Sequence, residues 1–377
     1  MGGGLQMKEA LGEVIPSTAM VVVEGCIIGL TIMANTAMAR GMSPFVFVVY
    51  TNALATIILL PYSYFYDRDR SDEPFFNWPF LLRVFLLGLI GVTIGQNLAF
   101  VGLSYSSPIV ACGMANQMPA LSFILGIILR ITKFDWKSCG TQARIIGTLI
   151  SFMGAISITL YKGPTIRNHS SPSMFLQATA APPPRLLVFT SPHENWVLGC
   201  TLFAASSVTL TIWNIIQVGT VKMCSQVMKI VAFYSLFGTI LSAFVALYME
   251  RDVSAWRLEL NFELMVIVLT AIFSSLIRSN IQIWCTRLKG PYFVPIFKPF
   301  GIPWASTFGS LLFADTFHYG SMMSAFVCGV GYYTVLWGQI KDDENNNKVV
   351  NQSGKNVLSD EKVPLLQQEE EEEDSQV

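Results

Sequence analysis

Runs of about 20 consecutive apolar residues recur along the whole chain, each long enough to cross the roughly 30 Å hydrocarbon core of a bilayer as a helix. Inside a bilayer every backbone N–H and C=O must be paired within its own segment, so repeated apolar runs of this length dictate a bundle of transmembrane helices. The runs are placed near residues 16–38, 44–65, 80–102, 108–129, 143–161, 196–217, 227–249, 263–286, 291–314 and 319–339. Composition agrees. Hydrophobic residues make up 52% of the 377, and only 13% are charged, where a soluble domain carries about 25%. The expected fold class is therefore an all-α integral membrane protein with ten transmembrane helices, with the lipid bilayer as part of its solvent.

Several function classes are disfavoured at once. Lys and Arg number 24 against 25 Asp and Glu, which leaves no basic excess for a nucleic-acid partner. Cys26, Cys112, Cys200, Cys285 and Cys328 lie inside apolar runs, Cys139 and Cys224 lie near their ends, and no CxxC pair occurs. The only histidines are His169, His193 and His318, all in expected loops. No metal or other cofactor is expected, and no nucleophile or acid pair suggests an enzyme. Gln6 stands where a myristoylation signal wants Ser or Thr. The first run is too long, and lacks a cleavage site, for a simple signal peptide.

Loop charges orient the bundle. Arg40, Lys162, Arg167, Arg185, Arg251 and Arg257 fall in loops on one side, and Arg278 and Lys298 fall within spans. All the other basic residues gather on the opposite side, which is assigned to the cytosol together with both termini. The triplet Asn168-His169-Ser170 then lies in the long fifth loop on the extracytosolic side, where Asn168 is a glycosylation acceptor.

Residues 162–195, with Pro172, Pro182, Pro183 and Pro184, have linker composition and divide the chain in two. The flanking segments resemble each other. Asn97, ten residues and Pro108 in the third span match Asn280, ten residues and Pro291 in the eighth. Gly25-Cys26 is echoed by Gly199-Cys200, and the shared offset of about 173–183 residues marks a repeat. Five spans per half turn the second half over relative to the first. Two inverted repeats result, 16–161 and 196–339, flanked by a cytosolic N-terminus (1–15) and a tail (340–377), with a solute cavity expected where they meet near the midplane.

Gly41-Met42-Ser43-Pro44-Phe45, Phe134-Asp135-Trp136-Lys137-Ser138, Tyr161-Lys162-Gly163-Pro164 and Leu336-Trp337-Gly338 resemble motifs of the plant nodulin-21-like, walls-are-thin-related (WAT1-related) proteins, in the same order and spacing. That family belongs to the EamA branch of the drug/metabolite transporter superfamily. The resemblance covers about residues 15–340. It implies two five-helix EamA repeats and transport of amino acids, auxin or related plant metabolites at the plasma or vacuolar membrane. The chain departs from the family pattern at Thr132 and at Ala314-Asp315, so no ion-coupling role is carried over to those positions.

An ionisable side chain at mid-bilayer costs roughly 3 kcal/mol or more, so each needs a partner or a purpose. Glu24 in the first span, Arg278 in the eighth and Lys298 in the ninth share nearly one depth, about 12 Å from the cytosolic end. One reading is a pocket in which Arg278 or Lys298 receives a carboxylate, while Glu24 receives an amino group or carries a coupling proton. The other is an internal Glu24–Arg278 or Glu24–Lys298 pair that holds helices together. Neutral polar residues sit on the same or neighbouring helices: Gln96, Asn97, Asn116, Gln117, Asn214, Asn280 and Gln282. Singly they are interhelical glue. Together they suggest a polar cavity between the first, third, fourth, sixth, eighth and ninth helices; Asn52 on the second has no assigned place.

Pro119 and Pro299 occupy corresponding places in the fourth and ninth spans, where each removes a backbone hydrogen bond and suits a helix that bends. The tail ends in the acidic run 369–374 and has disordered, solvated composition. Within it Glu361, Leu365 and Leu366 have the dileucine form read by clathrin-adaptor machinery. The function expected is a transporter of small organic solutes working by alternating access, with or without protons. The alternative is a non-transporting membrane receptor or scaffold.

Overall fold

A computed structural model of the chain describes residues 2–66, 78–130, 136–161, 195–221, 227–259, 261–290, 292–312 and 319–360. It is built of helices, with no strand among the described residues. Eight helical spans are long and apolar enough to cross a membrane, from Val14–Ala39 to Phe262–Lys289, and they coincide with the first eight apolar runs of the sequence. We label the helices α1 (Gly2–Ala39), α2 (Pro44–Tyr66), α3 (Trp78–Tyr105), α4 (Pro108–Ile128), α5 (Cys139–Leu160), α6 (Asn195–Val221), α7 (Val227–Met249) and α8 (Phe262–Lys289). After them come α9 (Gly301–Leu312) and α10 (Tyr319–Asp360).

The helix ends follow from local chemistry. At the end of α1, the Met42 N–H reaches Ala37 O at 3.2 Å and the Gly41 N–H reaches Met38 O at 3.0 Å, which is a Schellman cap. Its left-handed position is Gly41, at φ +108°. Pro44 then opens α2 with a preset φ.

Three helices depart from simple expectations. The ninth run, expected as one helix, is broken into Phe293–Ile296, a 3₁₀ turn at Lys298–Phe300 and α9. Pro299 has no N–H, and its ring would crowd the carbonyl four residues back, that of Pro295. That carbonyl turns aside to accept from Tyr332 Oη at 2.8 Å, and Ile296 O accepts from Tyr333 Oη at 2.9 Å. The α4 helix is likewise interrupted at Asn116–Gln117, just before Met118-Pro119, and Ser207 Oγ donates to Met114 O there at 3.1 Å. Finally, α10 continues to Asp360, so residues 340–360, expected without structure, are helical. A polar composition ends the membrane-crossing stretch, but residues 340–360 contain no proline to break the helix, and Lys341–Glu344 adds a pair at 3.5 Å. Asn168, Glu361, Leu365, Leu366 and the acidic run lie outside the described residues.

Two helices contain π segments, Gly88–Gln96 within α3 and Phe273–Arg278 within α8. Such segments insert an extra residue per turn and rotate everything beyond them to a new face.

Packing joins the first half of the chain to the second: α2 lies on α7, α3 and α4 on α6, α1 on α8 and α9, and α5 on α10. The α5–α10 contact runs through small residues. A Cβ on Gly147 would stand 2.7 Å from Val335 N and 2.9 Å from Gly331 O, and one on Gly331 would stand 2.6 Å from Ser151 N. The two backbones touch, as small-residue seams between membrane helices allow. Along the outer side of α5, Ile146, Leu149, Met153 and Ile156 are 53–66% exposed, and Met323, Phe326, Val330 and Trp337 form a similar stripe on α10. Rows of bare apolar side chains at helical spacing suit lipid, not water.

Gly147→Leu should therefore force the seam apart. Its clashes are with backbone, so the expected cost is about 3 kcal/mol or more, or roughly 6–12 °C in the apparent melting point of the purified protein. A variant that melts with the wild type would show that the seam is not a close contact.

Candidate functional site

The two π segments converge on one place. Gln96 ends the first and Arg278 ends the second, and both line a cavity of about 450 Å³ between α2, α3, α6, α7 and α8. Asn52, from α2, donates to Gln96 Oε1 at 2.7 Å and to Val48 O at 2.8 Å, which fixes the Gln96 amide at the wall. Trp213, Gln217, Tyr234 and Gln282, with Ser235, Ser274, Ser275 and Ser279, complete the polar and aromatic lining. A second cavity of about 230 Å³ shares Asn52, Ala55, Gln96, Ser274 and Arg278 with the first and extends to Thr31, Thr51 and Thr270.

The electrostatics of this place are lopsided. Among the described residues no carboxylate forms an ion pair with Arg278. Three buried groups in the walls also lack a hydrogen-bond partner among the described residues: Trp213 Nε1, Thr51 Oγ1 and Thr270 Oγ1. Buried polar groups are nearly always paired, so a cluster of unpaired ones beside a cation marks a surface made to meet something polar.

Glu24 and Lys298 do meet, outside the cavity walls but close enough for the Arg278 charge to act on Lys298. Lys298 Nζ lies 3.5 Å from Glu24 Oε1, and Glu24 is 3% exposed. The pair joins α1 to the 3₁₀ turn that leads into α9, beside the α1–α9 contact where Trp304 packs against Gly25 and donates from Nε1 to Val21 O at 3.2 Å, and it lines none of the cavities described here. Of the two ion pairs left open by the sequence, the structure contains the one with Lys298.

The amides divide in the same way. Gln96 and Gln282 line the large cavity. Asn97 is turned into the bundle and donates to Thr93 O at 2.7 Å. Asn116 and Gln117 are buried at the α4 break, with Gln117 Nε2 reaching Ser151 O at 3.4 Å. Asn280 accepts from Tyr62 Oη at 2.7 Å and ties α2 to α8. Asn214 is exposed on the outer side of α6. The large cavity is thus walled by α2 and α7 in place of α1, α4 and α9: α1 lines the second cavity and not this one, Asn116 and Gln117 stay at the α4 break, and Lys298 turns to Glu24. Pro119 and Pro299 both stand at such breaks.

Sequence reasoning missed Trp213, Gln217 and Tyr234 and left Asn52 unassigned. Asn52 and Gln217 carried the same signal as the amides that were chosen, an amide inside an apolar run. Trp213 is the neighbour of Asn214, one residue and so about 100° round the helix.

At the other end of the bundle the helices are closed. The 3₁₀ turn Val253–Trp256 is capped by Asp252, whose side chain accepts from Ser254 N at 3.0 Å. That bond from the Ser254 backbone holds the Asp252 carboxyl below the usual carboxylate range. The turn presents Trp256 O to Tyr50 Oη at 2.8 Å, with the two rings edge to face at 6.0 Å. Beside it the Arg40 guanidinium lies 4.6 Å from the centre of the Phe262 ring.

Comparison with known proteins agrees with this architecture. Residues 17–160 match the EamA-like transporter family. The WAT1-related protein At1g70260 of Arabidopsis thaliana is 47% identical over 372 residues, covering 96% of this chain and 98% of that protein. The chain belongs to the WAT1-related family. Two further WAT1-related proteins of Arabidopsis thaliana, At1g60050 and At3g28050, are 48% and 33% identical, each covering 94% of this chain and 95% of the relative. As a WAT1-related, EamA-like protein the chain is a multi-pass integral membrane protein and a membrane transporter of the drug/metabolite kind.

Proposed function

We propose that this WAT1-related protein carries small organic solutes, such as amino acids, auxin or related plant metabolites, through the Arg278 cavity by alternating access. The observation that carries the reading is the meeting of two π segments at one polar cavity whose guanidinium and several hydrogen-bonding groups have no partner among the described residues.

The same reading holds that the chain crosses the membrane ten times as two inverted five-helix repeats. The π segments support it, since they end one residue before Asn97 and two before its match Asn280. So do the helix breaks at Pro119 and Pro299 and the apolar stripe that continues from α5 onto α10. With both termini in the cytosol, as the loop charges indicate, the cavity faces the cytosol. Its lining reaches Gln217 and Met228, close to that end of α6 and α7. The Tyr50–Trp256 and Arg40–Phe262 contacts then form the closed external side. Solute passage requires this closure to loosen while the cytosolic mouth shuts.

A screen of radiolabelled solutes with the purified protein in proteoliposomes, at two pH values, tests the reading. Saturable flux of at least one small organic solute is expected, and a pH difference in that flux would report proton coupling. Binding of a solute with no flux under either condition would instead establish a receptor or scaffold.

A further inference from the structure

Three cavities adjoin one another, and the Phe100 ring lines both the second and the third. The third has a volume of about 210 Å³ and is mostly apolar, walled by Leu103, Ala111, Met118, Phe203 and Leu210. It shares Thr31 and Phe100 with the second cavity and Leu210 with the Arg278 chamber, while the second cavity and that chamber have Asn52, Ala55, Gln96, Ser274 and Arg278 in common. Phe100 packs against both of the main buried apolar clusters. Its ring lies 5.0 Å from that of Phe47, a residue with no exposed surface, which holds it from behind.

We propose that Phe100 is the specificity-determining partition of this transporter, setting how far the apolar end of a solute extends from the polar chamber. The inference rests on the reading of the Arg278 cavity as the solute site. A solute whose charged end lies at Arg278 meets the Phe100 ring at the far wall of the second cavity. Beyond that ring lies apolar space of similar volume that the solute does not reach while the ring is in place. Each methylene admitted to a dry apolar chamber tightens binding about fourfold. Removing the ring should therefore convert a site that stops rewarding chain length into one that keeps rewarding it.

The probe is the series of n-alkanoates from propanoate to octanoate. Their binding is measured to the purified full chain in lipid nanodiscs, with empty nanodiscs as the blank. For the wild type, affinity should rise with chain length and then level off. For Phe100→Ala the levelling should disappear, with gains of about fourfold per methylene continuing through the longer members. Phe100→Leu, which keeps apolar contact with Phe47, should move the levelling point by one or two carbons and guards against a folding defect in the alanine variant. Arg278→Gln should weaken every member of the series. Identical chain-length profiles for the wild type and both Phe100 variants would overturn the partition while leaving the cavity as the solute site. Alkanoate binding that Arg278→Gln does not weaken, or no alkanoate binding by any of the proteins, would overturn the cavity reading and the partition with it.

Discussion

Lys298→Met is expected to remove most of the folded protein, while Glu24→Gln combined with Lys298→Met restores it. In the single variant the Glu24 carboxylate, 3% exposed, loses the ammonium 3.5 Å away and keeps no hydrogen-bond partner on Oε1. Stranding one member of a buried pair costs about 3–5 kcal/mol, whereas replacing both members with neutral groups of similar volume is often close to neutral. The measurement is the fraction of monodisperse protein that survives heating in detergent, for wild type, both single variants and the double variant. A Lys298→Met protein as stable as the wild type would show that the pair does not hold α1 to the turn leading into α9. A double variant that folds and still transports would make the pair a structural tie, while one that folds without transporting would give it a part in the transport cycle.

Arg278→Gln should behave in the opposite way, with intact folding and failed transport. Among the described residues Arg278 forms no ion pair, so its removal strands no carboxylate. A hydrogen bond to a charged group is worth about 1.5–3 kcal/mol, which corresponds to a loss of roughly 10–150-fold in apparent affinity for an anionic solute. Arg278→Lys keeps the charge but not the planar fork and should fall between the two. Uptake kinetics in proteoliposomes, normalised to inserted protein, provide the check. An unchanged half-saturation concentration in Arg278→Gln would remove Arg278 from the solute site.

These two residues also show how far the sequence could be read. Span number and position through α8 follow from run length and hydropathy alone, because a bilayer leaves few alternatives to an apolar helix. Depth alone brought Glu24 and Lys298 together, since residues at one level on neighbouring helices have only to face each other. Facing is what a linear pattern does not contain. The π segments have no sequence signature, yet each shifts the register of the helix beyond it, and of the adjacent Gln96 and Asn97, about 100° apart, it is Gln96 that reaches the cavity while Asn97 points away. The prolines announced the interruptions of α4 and α9. Hydropathy, however, is blind to where the released carbonyls turn, and it was this that withdrew Asn116 and Gln117 from the cavity and brought Tyr332 and Tyr333 to the α9 break.

The central claim is that the Arg278 cavity is exposed to the two sides of the membrane in turn, and labelling of a cysteine placed in its wall tests it most directly. Ser274 lines both polar cavities and stands four residues from Arg278. Ser274→Cys, in a chain whose native cysteines are replaced, would be treated with a membrane-impermeant thiol reagent from each side in turn. The account predicts rapid labelling from the cytosolic side and slow labelling from outside. Trp256→Ala, which removes the ring packed on Tyr50, should raise the external rate. A transported solute should slow labelling from both sides. Labelling from one side only, unaffected by Trp256→Ala or by any transported solute, would contradict it.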